Sequence, residues 1–184
     1  IDEARVVIAE DKASFELNGR EMHTLHTEGH ARHHYVLNDP GSRGVFTGDS
    51  FGVAYRELDT ARGEIVFPTT TPVQFDPVEA HKAVDRIMAC APEQLYLTHY
   101  SRVRSLDRLA GEMHDGIDAY VAMAREHEKD ENRTQALRTS LFEYYVRRLD
   151  EHGYAGSREA MWGVLDIEVD LNTQGLEVWL DRSS

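Results

Sequence analysis

Apolar positions in the first hundred residues come in short runs cut by turn-forming residues, a pattern of strands rather than long helices. Arg5–Ile8 is β-branched. Ala13–Leu17 and Arg20–His26 flank Asn18-Gly19, the dipeptide that most readily supplies the positive φ angles of a two-residue hairpin. Tyr35–Leu37 leads into the turn Asn38-Asp39-Pro40-Gly41, Gly44–Thr47 is stopped by Gly48-Asp49, and Glu64–Phe67 meets Pro68-Thr69-Thr70-Thr71-Pro72, too proline-rich for regular structure. At Asp76-Pro77 the period lengthens. Val78, His81, Val84 and Ile87-Met88 recur at helical spacing behind an N-cap aspartate and a first-turn proline. Leu95-Tyr96-Leu97 reads as a last strand, ending at Thr98-His99-Tyr100.

Residues 101–184 read as entirely helical. Leu106, Leu109, Met113, Ile117, Tyr120 and Val121 make one stripe; Leu137, Leu141, Tyr144, Tyr145 and Leu149 make a second. Gly153–Ser157 interrupts the pattern before a third helix from about Arg158 to Leu171, and a last turn or two carries Leu176, Trp179 and Leu180. The expectation is an α/β or α+β unit over residues 1–100 followed by a helical region over 101–184.

Composition narrows the function. The 184 residues suit one ordinary domain with a real core. Acidic residues outnumber basic ones 33 to 20, for a net charge of −13, which argues against a nucleic-acid partner because such affinity rests on clustered Lys and Arg. No apolar run approaches the roughly 18–20 residues that span a bilayer, and the first residues lack the basic-then-apolar layout of a signal peptide, so no membrane role and a cytoplasmic location are expected. Cys90, the single cysteine, ends an apolar helix stripe and reads as a buried, inert thiol.

The candidate chemistry is histidine. Five of the ten imidazoles, at positions 23, 26, 30, 33 and 34, lie within twelve residues. His23 and His26 are three apart on a predicted strand and so point to opposite faces, unable to chelate one ion. His30 and His34 have the spacing of a zinc-protease helix, but Ala31 stands where its general-base glutamate belongs. The remaining possibility takes one histidine from this cluster and its partners from other strand ends. Gly44-Val45-Phe46-Thr47-Gly48 delivers Asp49, and Leu95-Tyr96-Leu97-Thr98 delivers His99; imidazole and carboxylate together suit borderline metals such as zinc.

The succession T-E-G-H, F-T-G-D-S and L-T-H-Y resembles the second half of a metallo-β-lactamase-fold hydrolase, in the branch that includes glyoxalase II. The resemblance spans residues 13–100, with Glu28 in place of the usual proline and His33 in place of a common glycine. It implies half of an αββα sandwich followed by a helical extension. It further implies His30 on a first metal, Asp49 bridging two metals and His99 on the second. The H-x-H-x-D-H string that supplies the remaining ligands and the general acid in that superfamily does not occur here. The expected partner is therefore an N-terminal half of the same fold, and three side chains shared between two ions should hold metal poorly on their own.

What the resemblance implies is a metal-dependent hydrolase of a small ester, thioester, lactone or amide, in which two divalent ions, zinc first with iron or manganese as alternatives, share a hydroxide. His34 is the candidate to support the ligands from behind, and Tyr55 and Tyr100 are candidates to contact a bound substrate carbonyl. Pro68–Pro72 is a candidate pocket wall, and residues 101–184 are candidates to cover the site or to form a homodimer contact. His23, His81, His114, His127 and His152 are expected at the surface or its boundary. An iron-dependent oxidoreductase resembling a persulfide dioxygenase, and a non-catalytic binding or assembly module, are the competing readings.

Overall fold

The computed structural model describes residues 2–70, 74–99 and 101–183. Strands β1 (Ser14–Leu17) and β2 (Arg20–His26) form the expected hairpin, with Asn18 at φ +50° and Gly19 at φ +79° making its turn. β3 (Tyr35–Asp39) and β4 (Gly44–Gly48) follow, then helix α1 (Pro77–Met88), β5 (Gln94–Leu97), β6 (Ser101–Val103) and three long helices, α2 (Leu106–Glu126), α3 (Arg133–His152) and α4 (Arg158–Ser183). The six strands lie in sequence order in one sheet. Every neighbouring pair is antiparallel except β4 and β5, which are parallel and joined by the crossover containing α1.

This topology has a directional consequence. Since β3 is antiparallel to both β2 and β4, and β5 is parallel to β4, strands β2, β4 and β5 all run the same way. Their C-terminal ends therefore open onto one edge of the sheet.

The two faces of the sheet differ. The row Asn38–Val45–Leu95–Val103 faces the core, where Val45, Leu95 and Val103 are fully buried in one apolar cluster shared with Leu109, Tyr145 and Leu176 of the helices. The opposite row, Thr24–Leu37–Phe46–Tyr96, is partly open. Phe46 stacks on Tyr96 with ring centroids 4.6 Å apart, yet 43% of Phe46 stays accessible. The N-terminal segment crosses beside this row, leaving Val7 and Ile8 exposed.

Four expectations need correction. Arg5–Ile8 is no strand: Glu3–Arg5 forms a 3₁₀ turn, and the β-branched residues after it have no strand to pair with. Glu64–Phe67 makes a single bridge, Phe67 with Val53, because Pro68 cannot continue a ladder. The sheet runs past residue 100, since Ser101–Val103 turns back along β5 as β6. The third and last helical pieces are one helix, α4, whose Asn172 and Thr173 look like breakers but are buried and bonded. Among the described residues no helix is long and apolar enough to cross a membrane.

α1 begins as its sequence dictates. The Asp76 carboxylate accepts from the N–H groups of Val78 and Glu79, with Pro77 in the first turn. Its start also holds the segment before His30, because the Asp76 N–H donates to the Gly29 carbonyl at 2.8 Å. Gly29 sits at φ +122°, and a Cβ there would lie 2.5 Å from the Ala80 backbone, so only glycine lets the chain rest this closely on the helix.

Candidate functional site

The shared edge of β2, β4 and β5 gathers three side chains that are far apart in sequence. His30 leaves the chain after β2, Asp49 directly after β4, and His99 after β5. His30 Nε2 lies 3.4 Å from Asp49 Oδ2, and His99 Nε2 lies 3.4 Å from Asp49 Oδ1. One carboxylate is thus flanked by an imidazole on each oxygen.

Asp49 Oδ1 is buried and accepts no hydrogen bond, so the His99 contact counts as electrostatic only. A buried carboxylate oxygen without a hydrogen is costly, and a bound cation is one physical way to satisfy it. His30 fits such a cation as well. Its Nδ1 lies 3.3 Å from the Thr69 carbonyl, which can only accept; a proton on Nδ1 satisfies that carbonyl and would leave the Nε2 lone pair for a cation beside Asp49. Burial draws the His30 pKa below the ordinary imidazole value, against the opposing pull of the Thr69 bond and of Asp49.

Asp49 is aimed by its backbone. Gly48 adopts φ +51°, and a Cβ on it would lie 2.5 Å from the His34 ring. His34 fills that space: its Nε2 accepts from the Asp49 N–H at 3.1 Å, which puts its proton on Nδ1 for donation to Ser50 Oγ at 2.9 Å. Ser50 Oγ in turn donates to Thr27 Oγ1 at 2.9 Å. His34 therefore supports the site from behind, through the main chain of Asp49. Burial lowers its pKa also, aided by the neighbouring charge of His30.

The remaining candidates divide. The Tyr55 hydroxyl donates to Glu168 Oε1 at 2.7 Å, so this tyrosine joins the crossover after β4 to α4. Burial raises the Glu168 pKa, opposed by the Tyr55 bond and the field of His99. Tyr100 lies outside the described residues, as do Thr71 and Pro72 of the proposed pocket wall. Pro68 and Thr69 of that wall do line a narrow crevice with His30 and Asp49. His26 bonds the Ala9 carbonyl, His33 is exposed, and His152 is a correction: it is buried, with Nε2 2.9 Å from the Gly63 carbonyl.

Sequence reasoning missed Glu168, Asn172 and a groove of about 780 Å³ beside Gly48 and Thr98, flanked by Arg56, Arg102 and Arg104. The alternation Arg102-Val103-Arg104, with the valine buried, was the available signal for the last two. Among the described residues no group of three or more His, Cys, Asp or Glu side chains is arranged to hold one metal ion. The donor types and the unsatisfied oxygen suit a metal, but the two imidazoles address opposite oxygens of Asp49. A complete shell of about four donors needs side chains beyond these three.

No family model matches the chain. Over 74 residues it is 39% identical to the metallo-β-lactamase fold-containing protein ST1585 of Sulfurisphaera tokodaii, a match covering 40% of this chain and 24% of that protein. The crystal structure of ST1585, described as an archaeal metallo-β-lactamase superfamily protein from Sulfolobus tokodaii, superposes with a TM-score of 0.57 at 22% identity, over 100% of this chain and 54% of the other. A metallo-β-lactamase family protein of Thermus thermophilus gives 0.59 at 13% identity over 95% and 48%. A stereoselective inverting sec-alkylsulfatase of Pseudomonas sp. gives 0.50 at 16% identity over 94% and 26%. The chain spans about half or less of the length of these proteins. In sheet order and helix placement, the chain has the metallo-β-lactamase fold.

Proposed function

We propose that this chain contributes one side of a metal-dependent hydrolase centre acting on a small ester, thioester, lactone or amide. The observation that carries the reading is Asp49: a largely buried carboxylate with a histidine 3.4 Å from each oxygen and one oxygen without a hydrogen bond. Asp49 would hold the metal together with His30 and His99, a carboxylate and two imidazoles that suit divalent ions. When bound, such ions acidify a water and stabilise negative charge on the substrate's acyl oxygen. The chain's own residues fix the donors: Thr69 holds the His30 proton on Nδ1, and His34 holds the main chain of Asp49. The donors still missing come from a second sheet packed on the open Phe46–Tyr96 face, in the same polypeptide or in another. Acyl substrates are favoured over nucleic acids because the net charge is −13.

Asp49→Ala in the intact protein tests this directly. Metal content and hydrolysis of acyl esters should fall together, activity by at least about 100-fold. Wild-type metal content and turnover in the variant would refute the assignment. Elemental analysis also separates the iron oxidoreductase reading, which requires iron with oxygen uptake in place of hydrolysis.

A further inference from the structure

The Thr69 carbonyl that receives His30 Nδ1 lies in a proline-rich turn, and Pro68 has no N–H with which to anchor it. The helical region supplies the anchor. On one side of Thr69, the Thr70 N–H donates to Asn172 Oδ1 at 2.7 Å and the Thr70 hydroxyl donates to the same oxygen at 3.1 Å. On the other side, the Pro68 carbonyl accepts from the Tyr120 hydroxyl at 3.1 Å. Asn172 Nδ2 donates to the Tyr145 hydroxyl at 3.0 Å, and Tyr145 and Tyr120 share a hydroxyl hydrogen bond of 2.7 Å. Asn172, Tyr120 and Tyr145 are completely buried, and Thr70 almost so.

An asparagine in a helix interior is a poor helix former, and a buried amide is costly unless bonded. A leucine would serve packing better. The shortest bonds of the Asn172 amide leave its own helix, to the peptide next to the His30 contact and to the tyrosine bonded to the other anchor of that turn, with longer contacts of 3.5 Å to the Pro68 carbonyl and to Glu168 in α4.

We propose that Asn172 is a positioning residue for the metal centre: by holding the Pro68–Thr70 turn it keeps the Thr69 carbonyl on His30 Nδ1, which favours the tautomer whose Nε2 can bind a cation beside Asp49. The inference rests on the reading of His30 and Asp49 as metal ligands. It gives the helical region a role in the chemistry without any contact to the reacting atoms, through α4 for Asn172, α3 for Tyr145 and α2 for Tyr120.

The test combines two readouts on the intact protein: imidazole nitrogen NMR shifts of His30 without metal, and titration with Zn²⁺ alone. Wild type should show His30 protonated on Nδ1 and should lose Zn²⁺ binding on His30→Ala. Asn172→Leu, confirmed as folded by circular dichroism, should show a mixed His30 tautomer and bind Zn²⁺ about 10- to 100-fold more weakly, as outer partners of ligating histidines do. If Asn172→Leu fails to fold, Tyr145→Phe decides, removing one oxygen from the network, with the same tautomer shift and an affinity loss of about threefold or more. An unchanged tautomer with Zn²⁺ affinity within about twofold of wild type overturns the positioning role and leaves the metal reading standing. Wild-type protein that binds no Zn²⁺ overturns the metal reading itself, and the inference with it.

Discussion

Among the described residues, two sites bring a pair of histidines together with aspartate, and they differ in ways that composition does not reveal. At the strand ends, His30 and His99 flank the largely buried Asp49. Between α1 and α2, His81 and His114 stack with ring centroids 5.0 Å apart, their Nδ1 atoms 2.7 Å from each other. There each Nε2 faces its own carboxylate, Asp118 at 3.1 Å and Asp85 at 3.4 Å. Those carboxylates are 77% and 73% exposed, against 25% for Asp49. Water and salt therefore screen the helical group, whereas the strand-end group keeps a carboxylate oxygen out of water and unbonded. Backbone origin makes the difference: three co-directed strands aim side chains at one point, while two helix surfaces leave theirs in solvent.

The contrast breaks most visibly by removing imidazoles. His30→Ala or His99→Ala in the intact protein should weaken metal binding by about 100-fold, while His81→Ala and His114→Ala should leave it within about twofold of wild type. Equilibrium dialysis with elemental analysis measures both, and equal losses in the two groups would erase the distinction. Next in size is Gly48→Ala, which forces a Cβ into the His34 ring at a left-handed backbone position. It should cost about 1–3 kcal/mol in urea unfolding, with metal content lowered as Asp49 shifts. No comparable penalty should follow from alanine changes on the solvent side of α1.

The smallest effect concerns Glu168, a second buried carboxyl within the electrostatic reach of His99 and Asp49. Burial raises its folded pKa above the ordinary 4.5, against the opposing Tyr55 bond and the field of His99. Its contribution to stability is therefore fully present below that ordinary value and is lost as pH rises through the folded one. Unfolding midpoints between about pH 4 and 8 should decline with pH for wild type relative to Glu168→Gln, whose amide still accepts from Tyr55. Parallel curves would mean that folding does not raise the Glu168 pKa, and the strand-end site would carry more negative charge at neutral pH than supposed.

How much of this was readable beforehand depended on whether the cause was local. The hairpin turn at Asn18-Gly19 and the start of α1 at Asp76-Pro77 were legible because each is decided within four residues. His30, Asp49 and His99 were legible as a set because each follows a strand in a recognisable order, although their meeting point depends on the parallel pairing of β4 and β5. Glu168 and Asn172 were not legible. Asn172 pairs with Thr70 across 102 positions, and locally its Asn-Thr-Gln-Gly context reads as the end of a helix. β6 escaped notice for a similar reason: Ser101–Val103 is too short to show a period and is a strand only because β5 lies beside it.

The parallel pairing of β4 with β5 has a consequence for how such a protein can diversify. Gly48 and Leu97 are adjacent in the sheet, so Asp49 and His99 stay neighbours whatever lies in the crossover between them. That crossover carries Tyr55, Arg56, the Pro68–Thr70 turn and α1, the parts that shape the ground around the strand ends. Its loops are free to lengthen, shorten or be exchanged while the carboxylate and the imidazole keep their spacing, so the surroundings of the strand ends can evolve separately from the strand ends themselves.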